Sequence, residues 1–153
     1  MALFGMSNTP ESDTPAPLSQ ERLIAVFKRE GWHFQVDGDG DMGAVWEDQI
    51  FWFVVTGPEK EILQIVAPLH ARIEAPRESV RDFIDEWHAG RFWPKACTRL
   101  NDDGTVAIMS EVNIDWEKGV TDDQLAQQVK CAIGTTLGMY EQLKESFTVV
   151  PFE

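Results

Sequence analysis

Cations are scarce in this chain. Lys and Arg number 13 against 26 Asp and Glu, a formal net charge of −13. Nucleic-acid affinity rests mainly on neutralising phosphates, so this field argues against DNA or RNA and against docking on an anionic membrane. Cysteine is nearly absent too. Cys97 and Cys131 are the two, far apart in the chain and neither a disulfide framework nor a metal-ligand pair. Each reads as a small core residue, Cys97 within a strand and Cys131 on the inner side of the last helix. No apolar run approaches the length of a membrane span. The opening residues lack the basic start and apolar stretch of a secretory leader, so the expected location is the cytoplasm, with reduced thiols.

Catalytic constellations are missing as well. No serine sits in a strand-turn-helix elbow, and neither cysteine has a base at recognisable spacing. His33, His70 and His88 fall on separate elements, and no two share the spacing of a zinc-ligand pair. His88 is explained as a cation near a helix C-terminus. Asp37-Gly38-Asp39-Gly40-Asp41 imitates the start of a calcium loop, but Met42 stands where the loop needs glycine and Asp48 where it needs a bidentate Glu. Gly38, Gly40 and Gly43 match a dinucleotide-binding pattern; a strand follows them instead of a helix, and the aspartates repel a pyrophosphate. These residues read as a solvated hairpin tip. No catalytic residue, cofactor or metal is expected, and an enzyme would need acids or histidines gathered only in three dimensions.

Aromatic residues are plentiful by contrast. Tryptophans stand at 32, 46, 52, 87, 93 and 116, and large aromatics dominate both cores and interfaces. With 153 residues the chain suits one domain. Residues 1–17 are polar and proline-rich and are expected to form a flexible tail, with Leu3 and Phe4 as an alternative partner-binding peptide. Residues 18–150 carry the domain.

The periodicities predict an order α-ββββ-α-ββ-α. Ser19 is a natural N-cap, Leu18 can staple onto Leu23, and Gly31 stops the first helix. Strands follow over 32–36, 44–47, 51–56 and 62–69, the last reaching as far as Ile73, with a tight turn at Asp48-Gln49. A second helix runs from near Pro76 to Gly90. Strands over 95–100 and 106–114 flank the hairpin signal Asn101-Asp102-Asp103-Gly104. Thr121-Asp122-Asp123-Gln124 is a capping box that opens the last helix. Gly134 and Gly138 on that helix permit close backbone approach, to the sheet or to a partner helix. Short connections favour antiparallel pairing, and three amphipathic helices are available to cover the sheet. The fold class is therefore α+β, an antiparallel sheet flanked by helices.

Phe92-Trp93-Pro94-Lys95-Ala96, Asn101-Asp102-Asp103-Gly104, Gly119-Val120-Thr121-Asp122-Asp123-Gln124-Leu125 and the Trp32 segment together resemble the YbjN domain of bacterial proteins. The resemblance covers roughly residues 18–148. It implies a fold similar to type III secretion chaperones, which are acidic, enzymatically silent, commonly dimeric and bind extended client segments. It also implies a regulatory role of the kind labelled sensory transduction. Fold alone does not establish function.

The third strand adds an argument from the residues themselves. Ile50, Trp52 and Val54 point to one side, Phe51, Phe53 and Val55 to the other, and both sets are apolar. One set faces the helices and the other needs a further cover. The expected function is a non-enzymatic protein-binding module, with Trp46, Trp52, Trp93 and Trp116 as candidate partner-binding residues. Expected partners are a protein client and a second copy of the chain. The alternative is a sensor holding a small molecule between sheet and helices.

Overall fold

Ser19 begins the first helix as its side chain predicts, accepting the Arg22 N–H at 3.1 Å. The computed structural model describes residues 14–152. Helix α1 (Gln20–Glu30) ends at Gly31, whose φ of 74° lets its N–H turn back to the carbonyls of the last turn. Helix α2 (Arg77–Gly90) follows Pro76. Helix α3 (Asp122–Ser146) opens with both halves of the Thr121–Gln124 capping box in place.

Eight antiparallel strands form the sheet: β1 (Gln35–Val36), β2 (Met42–Trp46), β3 (Gln49–Thr56), β4 (Ile62–Pro68), β5 (Ala71–Glu74), β6 (Lys95–Leu100), β7 (Val106–Asp115) and β8 (Thr148–Pro151). Their order is β1-β2-β3-β4-β7-β5-β8, with β6 on the opposite side of β7. Strand β7 is long enough to serve three neighbours. It pairs with β4 from Met109 to Asp115, with β5 at Val106 and with β6 from Val106 to Glu111.

Burial alternates along β3, β4 and β7, as a sheet with one covered face requires. The inner set includes Phe51, Phe53, Leu63, Ile65, Ala67, Ile108 and Val112, all buried with Leu23, Val26 and Phe27 of α1 and Leu125, Val129, Met139 and Leu143 of α3. One polar cluster interrupts this layer. Tyr140 and Ser110 both donate to the Ala67 carbonyl, Ser110 at 3.2 Å, which fastens α3 to the sheet with its polar groups satisfied.

Several expectations shift. Trp32 and Phe34 lie outside β1; their rings fold back edge-on to Phe27, at 5.2 and 5.9 Å between centroids. The run through Ile73 divides at Leu69-His70, because Leu69 bonds sideways to Ile108 (2.9 Å) before β5 turns away to pair with β8. The β2–β3 turn is Glu47-Asp48, one residue earlier than predicted, with φ of 49° and 63°, the pair of left-handed residues a two-residue hairpin uses. Strand β8 follows α3 and was not expected. The short run Thr148–Val150 becomes a strand only because β5 offers it an edge.

Of the segment expected to be a tail, Ala16 forms an antiparallel bridge with Val120. Leu3 and Phe4 lie outside the described residues.

Candidate functional site

The outer face of the sheet, turned away from α1 and α3, is built from the alternate residues of each strand. Val45 and Gly43 come from β2, Ile50, Trp52 and Val54 from β3, Val66 and Pro68 from β4, Met109 from β7. An antiparallel sheet with one solvated face ordinarily turns polar side chains outward. This one keeps apolar side chains there, partly shielded by each other, with Val45 62% and Met109 39% exposed. Polar cover begins at Gln64 of β4 and continues on β7. Glu111 bonds Lys95 at 2.5 Å and accepts from Gln64 at 2.7 Å. The Glu111 carboxylate raises the Lys95 ammonium above its ordinary value by that hydrogen bond.

Next to this face, where β6 begins, the α2–β6 connection projects Phe92, 93% exposed, and Trp93, 39% exposed. The projection is braced from below. The Trp87 indole N–H donates to the Trp93 carbonyl at 3.0 Å, and the Arg91 guanidinium lies 4.1 Å from the Trp87 ring centre. At the other end of the face lies an open hollow of about 490 Å³, walled by Trp52, Ile50, Val45 and Phe34 and edged by Asp37 and Asp41.

The outer edge of β6 is closed to strand addition by α2. His88 Nε2 accepts the Ala96 N–H at 3.1 Å, and Arg77 donates to the Thr98 carbonyl at 3.2 Å. His88 thus serves as an acceptor for a strand edge, where the sequence suggested a cation at a helix end. Cys97 is exposed on the outer face, not in the core, because Ala96 takes the inner position of this strand. Cys131 is half-buried. Gly138 leaves room for Trp87 of α2, 4.0 Å from where a Cβ would stand, while Gly134 has open space beside it.

The four tryptophan candidates divide. Trp52 belongs to the outer face and Trp93 to the projection beside it. Trp46 points inward, its ring 6.1 Å from Phe27, 5.7 Å from Phe51 and 6.3 Å from Phe53. Trp116 is half-buried against the core, its indole N–H enclosed without an acceptor, beside a second open hollow of about 550 Å³ between residues 15–18 and 59–61. Sequence reasoning missed Phe92 as an exposed residue and Met109 and Val66 as outer-face residues. The alternation of β4 and β7 about Leu63, Ile65, Ile108 and Val112 carried the signal for the last two. Among the described residues, no group of three or more His, Cys, Asp or Glu is arranged to hold a metal ion. No helix there is long and apolar enough to cross a membrane.

The chain is similar to two solved structures in fold. One is YbjN of E. coli, described as "a putative transcription regulator", with TM-score 0.73 and 13% identity over 90% of this chain and 100% of that one. The other is an uncharacterized protein of Methanothermobacter thermautotrophicus, with TM-score 0.59 and 16% identity over 85% and 99%. No curated protein matches the chain. The model of the family described as "Putative bacterial sensory transduction regulator" matches residues 19–145, nearly the whole length from α1 to the end of α3. The chain belongs to the YbjN family.

Proposed function

We propose that this chain is a non-enzymatic protein-binding module, chaperone-like or regulatory, that buries the outer face of its sheet against another polypeptide. The observation that carries the reading is an apolar strip of exposed Val45 and Met109 and half-buried Ile50, Trp52, Val54 and Val66, with Phe92 and Trp93 projecting beside it. Contiguous apolar surface of this kind on a soluble domain marks an interaction site. Aromatic anchors supply most of the binding energy at such sites. Trp52 and Trp93 are the residues placed to act as anchors; Trp46 and Trp116 support the fold from within. The family description names a regulator and no reaction, in keeping with a function exercised by binding. The setting proposed is the cytoplasm, where Cys97 and Cys131 stay reduced.

The small-molecule reading needs room between sheet and helices. That interval is occupied by Phe27, Phe53, Leu63, Met139 and Leu143, all buried, so it ranks second. The test is affinity capture from native lysate with mass spectrometry, comparing wild type with Trp52→Ala and Trp93→Ala. A protein held by the wild type and lost from either variant supports the reading. Retention of every captured protein by both variants sinks it.

A further inference from the structure

Resting on that reading and deepening it, we infer that the polypeptide taken by the outer face carries an arginine, whose guanidinium enters the hollow between the Trp52 ring and the carboxylates of Asp37 and Asp41. An acidic turn alone is ordinarily just solvated. This one rims an apolar hollow of about 490 Å³ walled by Phe34, Val45, Ile50 and Trp52. Val45, Ile50 and Trp52 belong to the apolar strip as well, so hollow and strip form one continuous surface. That continuity suits a side chain projecting from a polypeptide laid along the face.

Charge decides which side chain. The lining holds two carboxylates and the imidazole of His33, with neither Lys nor Arg. Neither carboxylate has a cation at ion-pair distance among the described residues. The rim is also fixed in place. Asp37 Oδ1 accepts the backbone N–H groups of Asp39 at 3.0 Å and Asp41 at 2.9 Å, and Gln20 of α1 donates to the Gly40 carbonyl at 2.8 Å. A rim held before the partner arrives loses little freedom on binding. An apolar side chain entering here would strip water from both carboxylates and leave them unpaired, and an acidic one would be repelled. A cation satisfies them, and the face of the indole attracts it further. Arginine fits better than lysine, because its planar guanidinium lies flat on an aromatic ring and still presents N–H donors at its edge to a carboxylate. Apolar neighbours of that arginine would cover Val45, Ile50 and the strip beyond. A chain of net charge −13 also draws a basic partner from a distance.

Short peptides test this by NMR on the full chain. The probes are acetylated, amidated Ser-Leu-Arg-Leu-Ser, the same peptide with citrulline for arginine, and arginine amide alone. Citrulline keeps the shape of the side chain and removes its charge. The arginine peptide is expected to bind about tenfold more tightly than the citrulline peptide, and to shift the Trp52 indole N–H and the amides of Asp41 and Val45. Asn at position 37 still accepts from the amides of residues 39 and 41, so Asp37→Asn with Asp41→Asn leaves the turn intact. That double variant should bind both peptides alike. Asp82→Asn with Glu86→Gln removes the same charge from α2 and should keep the tenfold preference. Equal binding of the two peptides by wild type, a preference that survives the Asp37 and Asp41 changes, or one lost equally in the α2 control overturns the inference. So does failure of both peptides to bind. Arginine amide bound as tightly as its peptide overturns it as well, in favour of a small organic cation. In any of these cases a captured protein lost on Trp52→Ala leaves the protein-binding reading standing. If no captured protein is lost there, both fall.

Discussion

The indole of Trp52 occupies the place where residue 43 would carry a side chain. A Cβ on Gly43 would stand 3.0 Å from Cζ3 of Trp52 and 3.1 Å from its Cε3. The two residues are direct cross-strand partners, and an aromatic that shields a strand glycine compensates for its missing side chain. Gly43→Val is therefore expected to cost about 1–3 kcal/mol by overpacking. In a Trp52→Ala background the same substitution should cost less, because the ring that opposed it is gone. Urea unfolding of the four proteins in a double-mutant cycle measures the coupling. Additive effects would show that the ring does not sit there in solution.

Arg22 gathers four acceptors. Nη1 donates to the carbonyls of Ala16 (2.6 Å) and Pro17 (3.0 Å), and Nη2 to the Val120 carbonyl and Asp122 Oδ1, both at 2.8 Å. One side chain thus ties residues 16–17 to the start of α3. Arg22→Met keeps much of the aliphatic stem and removes the donors. The expected loss is about 1–3 kcal/mol, the range for charge-assisted bonds in a half-buried setting. Amide exchange should quicken at Ala16 and Val120 and stay slow at Val129 and Ile133 in mid-helix. Unchanged protection at Ala16 would mean that its backbone bridge holds without the clasp.

How much of this was legible beforehand depends on how local each signal is. Ser19, Gly31 and Thr121 act on residues within one helical turn, so the helices were readable at their ends. The two faces of β3 were also readable, because Phe51 and Phe53 alternate with Trp52 and both sets are apolar. Cys97 was not, since Ala96 and Cys97 are both small and offer no contrast to set the strand's parity. Trp46 and Trp52 lie on neighbouring strands with opposite parity, and reading the turn one residue late obscured that difference. Strand β8 depends on β5, many residues distant, and no local pattern announces such a pairing. Phe92 projects because Trp87 and the Trp93 carbonyl brace its loop, a contact across the end of a helix that sequence spacing does not display.

Trp46 and Trp93 should separate in stability experiments. Trp46 packs edge-on to Phe27 inside an aromatic cluster that also holds Trp32 and Phe53. Trp46→Ala opens a cavity there and is expected to cost about 3–5 kcal/mol. Trp93→Ala removes an exposed ring and leaves its backbone carbonyl bonded to Trp87, so a loss within about 1 kcal/mol is expected. Chemical denaturation of each variant checks the order. If Trp93→Ala proved the costlier, the division of the tryptophans into supporting and partner-facing sets would be wrong.

Tyr140, the single tyrosine of the chain, makes the fold sensitive to alkali in a way that can be isolated. Burial pushes its phenol well above the ordinary value. Below the unfolded phenol's pKa of about 10 the group is protonated in both states, and its contribution to stability is fully present. Above that pH the unfolded chain releases the proton while the folded chain keeps it. Unfolding is then favoured by up to about 1.4 kcal/mol for each further pH unit. Tyr140→Phe abolishes this dependence, at the cost of one hydrogen bond to the Ala67 carbonyl, which keeps its bond from Ser110. Urea unfolding at a series of alkaline pH values should therefore give a steeper decline for wild type than for Tyr140→Phe. Tyrosinate absorbance should appear together with loss of the circular dichroism signal. Tyrosinate formed while the helices remain intact would show that water reaches Tyr140 in the folded protein, and that its burial between α3 and β4 is not maintained.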